Sequence, residues 1–194
     1  MVITYHGENY FKITSRDYTV LVDPTNQRSY KGAQAVLFTE KKLEGEAPGT
    51  ENAFVVDHAG EFEIGGVSIT GFQAETGATS LKTIYRVAFD DITIGILGKI
   101  TNEPGKEFTE RLEGVDIMIA PIGGKPYAPV AGIAKFLRQI EPGIIIPALY
   151  PSDKHLKDFY KEFGAESKTC DEKLVVKKKD VKAQAMEVRC LKSE

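Results

Sequence analysis

Histidine and cysteine are scarce in this chain of 194 residues. It has three histidines and two cysteines, His6, His58, His155, Cys170 and Cys190. A metal centre built mainly from histidine or cysteine ligands is therefore excluded. No run of apolar residues approaches the roughly 18 of a membrane-spanning helix. The formal net charge is −3, so there is no overall positive field to attract nucleic acid or an anionic membrane.

The N-terminus lacks the features of a secretory signal peptide. It has no basic segment at its start, and Asn9 and Lys12 interrupt any apolar run. The sequence therefore predicts a cytoplasmic protein with free thiols, because the cytoplasm is reducing. Cys170 and Cys190 are interpreted as small buried side chains, with a pair of neighbours on late strands as the alternative.

Strand patterns dominate the first hundred residues. Alternating or short apolar runs predict strands at 2–5, 10–14, 18–22, 35–38, 53–56, 61–64, 67–70, 83–89 and 92–97. Gly65-Gly66 and Asp90-Asp91 separate consecutive runs, and both pairs are predicted as two-residue hairpin turns.

Helices and strands alternate after residue 100. Helices are predicted at 106–112, 130–140 and 153–163, and strands at 115–120, 143–146, 174–177 and 185–190. Pro147 is expected to stop the strand before it, and the lysine-rich segment 176–182 to form a solvated hairpin tip. This order predicts one domain over 1–194, an α/β sandwich of two packed sheets with helices outside.

Six segments carry a resemblance to a known family. They are 3–13 with 20–24, 33–39, 60–71, 94–98, 115–124 and 140–150. In this order they resemble the metallo-β-lactamase superfamily, in particular its lactonase-like branch of Zn-dependent hydrolases. The resemblance implies the αββα sandwich of that family, with two packed mixed sheets and helices outside.

The resemblance also implies where metal ligands would lie. The family holds one or two metal ions with a His-x-His-x-Asp-His loop, further histidines and a bridging aspartate, and the metal activates a water molecule. None of these positions carries the family's ligand in this chain. The corresponding residues are Glu8, Glu40, Lys42, Glu44, Gly45, Lys99 and Leu149.

Lysine stands at two of these positions, Lys42 and Lys99. A protonated lysine has no lone pair for a metal and adds a positive charge beside it. We therefore expect no metal, no cofactor and no catalytic residues, and we interpret the chain as a pseudoenzyme that binds or scaffolds a small molecule or a protein. The alternative is a hydrolase of phosphodiesters or lactones, with a metal site rebuilt from oxygen ligands or a metal-free acid/base pair.

Two arrangements of the acidic residues remain open. Glu8, Glu40, Glu44 and Asp57 could bind a hard cation such as Mg²⁺ or Ca²⁺ through oxygen atoms. In the arrangement that we favour, these carboxylates pair instead with Lys42 and Lys99, because a buried carboxylate needs a counter-charge.

A persisting cleft is expected to suit a small zwitterionic or anionic ligand. Its predicted floor carries Glu8, Glu40, Lys42, Lys99 and Leu149. The residues expected at its border are Asp57, His58, Lys125 and Tyr127.

Two further segments have structural interpretations. Gly123-Gly124-Lys125 lacks the spacing of a phosphate-binding loop and is predicted as a turn. The apolar region 128–136 is either core or an interface, which leaves a homo-oligomer open.

Overall fold

The computed structural model of the protein describes residues 1–44 and 53–194, and these contain 14 strands and three α-helices. The strands are β1 (Val2–Tyr5), β2 (Phe11–Ser15), β3 (Tyr18–Val22), β4 (Ala35–Leu37), β5 (Glu40–Lys42), β6 (Phe54–Val56), β7 (Gly60–Ile64), β8 (Val67–Thr76), β9 (Ser80–Phe89), β10 (Ile92–Ile96), β11 (Ile117–Pro121), β12 (Ile144–Ala148), β13 (Leu174–Val175) and β14 (Glu187–Val188). The helices are α1 (Lys106–Arg111), α2 (Val130–Ile140) and α3 (Asp153–Glu162).

The strands form two mixed sheets. The first has the order β13-β1-β2-β3-β4-β6, and the second has the order β14-β12-β11-β10-β9-β8-β7, with β5 paired to β9. Each sheet combines antiparallel hairpins with parallel neighbours, such as β3 with β4 and β11 with β12. The predicted sandwich of two packed mixed sheets is confirmed.

Both predicted hairpin turns are confirmed. Gly65 and Gly66 have φ angles of 57° and 81°, and Asp90 and Asp91 have φ angles of 55° and 62°. Positive φ at both central residues gives a turn whose twist matches that of the flanking strands. Glycine adopts this conformation without strain, and aspartate is among the few other residues that tolerate it.

The main core lies between the two sheets. Alternate residues of the strands, such as Phe11 and Ile13 of β2 and Ile94 and Ile96 of β10, are fully buried there. The helices cover the outer face of the second sheet, where Phe136 of α2 and Phe159 of α3 pack in a second apolar cluster. None of the helices in the described part of the chain is long and apolar enough to cross a membrane.

The region 128–136 is core in this chain. Ala128, Ile133 and Phe136 belong to the apolar cluster on the second sheet, and Ala134 is also fully buried. Pro147, expected to stop a strand, lies inside β12 instead. The partner strand β14 pairs with β12 only at Ile144 and Ile145, so the missing N–H of Pro147 breaks no ladder on that side.

The expected hairpin between the last two strands is wrong. β13 pairs with β1 in the first sheet, whereas β14 pairs with β12 in the second. The lysine-rich segment between them therefore crosses from one sheet to the other, with a 3₁₀ turn at Lys178–Asp180. Both strands are two residues long, and so short a pattern does not specify a partner.

The expectation of free thiols is also wrong, because Cys170 and Cys190 form a disulfide bond. A bridge between Asp171 and Leu191 places the two cysteines side by side, and the Asp171 N–H donates to the Cys190 carbonyl at 3.0 Å. The expectation rested on compartment alone, whereas the pairing depends on contacts between segments 20 residues apart.

Removing the disulfide is expected to lower the free energy of unfolding by about 3 kcal/mol, since it closes a loop of intermediate length. Denaturant unfolding of the Cys170→Ser/Cys190→Ser variant measures this loss. A reductant should destabilise the wild type by a similar amount and leave the variant unchanged. Equal sensitivity of both proteins to the reductant would contradict the assignment.

Candidate functional site

A buried carboxylate, Asp23, lies at the end of β3, and its side chain is 4% exposed. It accepts hydrogen bonds from the Thr39 N–H at 2.8 Å, the Thr39 hydroxyl at 2.5 Å and the Asn9 amide at 2.7 Å. Asp23 falls in the segment 20–24 that carries the family resemblance, but its place in the site was not predicted from the sequence. The sequence feature that could have indicated its place in the site is an Asp-Pro pair directly after a buried strand.

Lys99 faces this carboxylate from the loop after β10. Its Nζ atom lies 4.0 Å from Asp23 Oδ2, and its side chain is 27% exposed. Its backbone N–H donates to the Thr39 hydroxyl at 3.3 Å. An ammonium group therefore stands beside Asp23, at the position where the family resemblance implies a bridging carboxylate.

Glu40 is paired with a lysine that sequence reasoning missed. β5 places Glu40 directly opposite Lys82 of β9, and Lys82 Nζ lies 3.7 Å from Glu40 Oε1. The Ser80 hydroxyl donates to the same oxygen at 2.9 Å, and Lys82 Nζ donates to the Lys99 carbonyl at 2.5 Å. A cross-strand pair of opposite charge stabilises this part of the site.

Carboxylates in this region do pair with lysines, but the pairs differ from those expected. Lys42 is exposed and has no ion pair among residues 1–44 and 53–194. Its neighbour Lys41 pairs with Asp57 at 3.0 Å instead. The segment was expected to be a loop, but it forms β5, whose alternation turns successive side chains to opposite faces. Glu44 is exposed, and Gly45 lies outside the described residues.

Tyr127 marks the point where several expected positions meet. Burial raises the pKa of its hydroxyl, the Lys99 ammonium lowers it, and the carboxylates of Glu8, Glu40 and Asp23 raise it. Contacts link the same region, because Lys82 Nζ lies 3.7 Å from Glu40 and donates to the Lys99 carbonyl, and Asn9, next to Glu8 in the chain, donates to Asp23. Glu8, Glu40 and Lys99 therefore lie in one region of the fold.

A cavity of about 240 Å³ opens beside this cluster. It is lined by Glu8, Gly123, Lys125, Pro126, Tyr127, Leu149, Tyr150 and Pro151. Of the expected floor, only Glu8 and Leu149 line the cavity. Of the expected border, Lys125 and Tyr127 do so. Glu40 and Lys42 belong to β5, Lys99 belongs to the loop after β10, and none of the three is part of its lining.

The backbone at this cavity is held in a constrained form. Glu8 and Leu149 have φ angles of 51° and 54°, and the Leu149 N–H donates to the Glu8 carbonyl at 2.9 Å. A Cβ atom at Gly123 would lie 2.1 Å from the Leu149 carbonyl oxygen, so glycine is required there. Non-glycine residues at positive φ cost energy and are often found at binding sites.

The remaining border residues, Asp57 and His58, form a separate pair. His58 Nδ1 lies 2.8 Å from Asp57, and the imidazole meets Phe62 edge-on at 5.4 Å. Burial alone raises the pKa of Asp57, but hydrogen bonds and charge from His58 and Lys41 outweigh burial and lower that pKa. Asp57 is therefore a charged structural partner.

The other two histidines are engaged elsewhere. His6 stacks on Tyr10 and lies 3.7 Å from Glu194, and His155 hydrogen-bonds to Ser152 at 2.9 Å. Neither lines the cavity.

The donor set around Asp23 does not fit a metal ion. Within residues 1–44 and 53–194, no group of three histidine, cysteine, aspartate or glutamate side chains could hold one. The Asp23 oxygens already accept three hydrogen bonds, and ammonium groups lie 4.0 Å from Asp23 and 3.7 Å from Glu40. A cation placed there would meet like charges.

Glu75 fixes the loop that follows Lys99. Its carboxylate accepts hydrogen bonds from the Thr101 N–H, the Thr101 hydroxyl and the Asn102 N–H, at 2.6 to 2.7 Å. Burial alone raises the pKa of Glu75, but these hydrogen bonds outweigh it and lower that pKa. The stabilisation is therefore present above the unfolded carboxyl pKa and is lost as the pH falls through the folded value.

The Glu75→Gln variant is expected to lose about 1 kcal/mol of stability at neutral pH, because a charged acceptor is replaced by a neutral one. The difference from wild type should shrink in acid, at a pH below the lowered pKa of Glu75, where the wild-type carboxyl takes up a proton. Urea denaturation at both pH values measures it, with Glu61→Gln on the exposed face of β7 as control. A difference independent of pH would count against the carboxylate's role.

Comparisons with known proteins agree with this architecture. Residues 2–148 match a family model described as a beta-lactamase superfamily domain. No functionally curated protein matches the chain.

Solved structures show the same fold. A proposed Zn-dependent hydrolase of the metallo-β-lactamase superfamily from Thermotoga maritima has a TM-score of 0.81 at 18% identity, with 98% of this chain and 97% of that chain covered. The metallo-β-lactamase fold protein YhfI from Bacillus subtilis has a TM-score of 0.69 at 12% identity, with 99% and 97% covered. The match of the family model over most of the chain, on this sandwich of two sheets, shows that the protein belongs to the metallo-β-lactamase superfamily.

Proposed function

We propose that this protein is a metal-free member of its superfamily that binds a small zwitterionic or anionic molecule instead of hydrolysing one. The observation that carries the proposal is the Lys99 ammonium beside the Asp23 carboxylate. The lysine supplies, as a fixed part of the chain, the positive charge that a metal ion would otherwise bring to the carboxylate.

The acidic residues support the same proposal. A general base needs a carboxylate that is free to take a proton from a substrate or a water molecule. Glu40 accepts a hydrogen bond from Ser80 and faces Lys82, and Asp23 accepts three hydrogen bonds. Both are engaged in stabilising interactions within the fold.

The cavity supports a binding role. It lies next to the charged cluster and holds Glu8 and Leu149 at positive φ, a backbone conformation that costs energy and is often found at binding sites. A preformed concave surface with a few polar groups is the usual form of a small-molecule site.

Metal content and hydrolytic activity test the proposal together. Protein purified without chelator and then loaded with Zn²⁺, Mn²⁺ or Mg²⁺ is analysed for bound metal after gel filtration and assayed on generic phosphodiester and lactone substrates. We expect far less than one equivalent of metal and no metal-dependent turnover. One equivalent of metal together with metal-dependent turnover would establish the hydrolase alternative.

A further inference from the structure

The charges near the cavity divide into paired and unpaired groups. Asp23 and Glu40 each have a lysine within 4.0 Å. Glu8 and Lys125 line the cavity, and in the described part of the chain neither side chain has an ion pair or a hydrogen bond. One carboxylate and one ammonium group are thus left at the cavity for a ligand.

The rest of the cavity lining is largely apolar. It consists of Gly123, Pro126, Tyr127, Leu149, Tyr150 and Pro151. Burial raises the pKa of both tyrosine hydroxyls, so the two rings stay uncharged at neutral pH. Aromatic rings and proline rings make favourable face and edge contacts with another ring.

The Glu8 backbone is fixed at the cavity. Its carbonyl accepts hydrogen bonds from the Leu149 N–H at 2.9 Å and from the Tyr5 hydroxyl at 3.1 Å. A side chain on a fixed backbone loses less entropy when it binds a ligand, so the site is partly preorganised.

We propose that this cavity binds a small aromatic zwitterion, whose ammonium group pairs with Glu8, whose carboxylate pairs with Lys125 and whose ring lies against Tyr127 and Tyr150. The inference rests on the proposed function, because it places the ligand beside the charged cluster of Asp23, Glu40 and Lys99 that the proposed function takes to be metal-free. At about 240 Å³ the cavity is smaller than the roughly 300–1,000 Å³ of pockets for drug-sized ligands, which suits a molecule with one ring.

Calorimetric titration with five probes tests the ligand class. L-Phenylalanine carries the ring and both charges, phenethylamine lacks the carboxylate, 3-phenylpropionate lacks the amine, and glycine and L-leucine lack the ring. We expect L-phenylalanine to bind about tenfold more tightly than either singly charged compound, because each loses one charge-assisted contact. Glycine and L-leucine should bind more weakly than L-phenylalanine.

Two variants assign the charges. Glu8→Gln should weaken the binding of L-phenylalanine about tenfold and leave the affinity for 3-phenylpropionate unchanged. Lys125→Met should also weaken the binding of L-phenylalanine about tenfold, but it should leave the affinity for phenethylamine unchanged. Both residues are exposed, so the variants should fold as the wild type does. Glu61→Gln and Lys12→Met change the same charges at exposed strand positions outside the lining of the cavity and should have no effect.

Three results would overturn the inference: no binding of L-phenylalanine at millimolar concentration, equal binding of L-leucine, or unchanged affinity in both cavity variants. These results are separate from those that test the proposed function. Absence of bound metal together with absence of L-phenylalanine binding removes only the ligand class. One equivalent of metal with metal-dependent turnover removes the metal-free binding protein itself.

Discussion

Replacing Gly98 with alanine is expected to lower the free energy of unfolding by about 4 kcal/mol, from the strain of a left-handed backbone and from overpacking. Gly98 has a φ angle of 63°, and a Cβ atom there would lie 2.2 Å from the Cβ of Thr39. Thr39 is fully buried and donates twice to Asp23, so it cannot move aside without breaking the site. Urea denaturation measures the loss.

Gly114→Ala is the matched control. Gly114 has a φ angle of 72°, but nothing lies within 4 Å of the added Cβ position. Its substitution carries the backbone strain alone, about 1 kcal/mol. Equal losses in the two variants would show that contact with Thr39 is unimportant. If Gly98→Ala does not fold at all, the comparison is made by yield of soluble protein, which should be lower for Gly98→Ala than for Gly114→Ala.

Replacing Asp23 with alanine is expected to lower the free energy of unfolding by about 4 kcal/mol, because it removes buried hydrogen bonds and an ion pair. Three buried donors, from Thr39 and Asn9, would lose their acceptor, and Lys99 would lose its counter-charge. Chemical denaturation with circular dichroism gives the change in stability.

The Lys99→Met variant measures the contribution of the Lys99 charge to stability separately from that of the hydrogen bonds to Asp23. Lys99 is partly exposed and 4.0 Å from Asp23, so its loss is expected to cost about 1 kcal/mol. The Asp23 hydrogen bonds remain in this variant. A cost of Asp23→Ala as small as that of Lys99→Met would mean that the hydrogen bonds to Thr39 and Asn9 contribute little.

Local features of the fold are predictable from the sequence. The two hairpin turns follow from residues that tolerate positive φ, at Gly65-Gly66 and Asp90-Asp91. Helix α2 has the predicted bounds, since its apolar residues recur at helical spacing and Ile133, Phe136, Leu137 and Ile140 are buried. In these segments the information lies within a few neighbouring residues.

Features that depend on distant contacts are not predictable in this way. The short polar strand β5 exists because β9 offers it a partner, and nothing in Glu40-Lys41-Lys42 itself indicates a strand. The same holds for the disulfide and for the separation of β13 and β14 into different sheets. Each is decided by which segment lies alongside.

The candidate site shows the same division. The family resemblance places Glu8, Glu40 and Lys99 near one another, and all three act on the Tyr127 hydroxyl. It does not indicate that Lys82 is the partner of Glu40, because that pair is set by the register of β5 on β9. Asp23 could have been found from its position directly after a buried strand, where a polar residue enters the end of a sheet.

The most direct test of the account is a crystal structure determined from crystals soaked in Zn²⁺, with anomalous data collected at the zinc edge. The central claim is that the Lys99 ammonium supplies the positive charge beside Asp23. The account predicts Lys99 Nζ within ion-pair distance of Asp23 and no anomalous peak between Asp23 and Glu40. A zinc peak coordinated by these carboxylates, with Lys99 turned away, would contradict it.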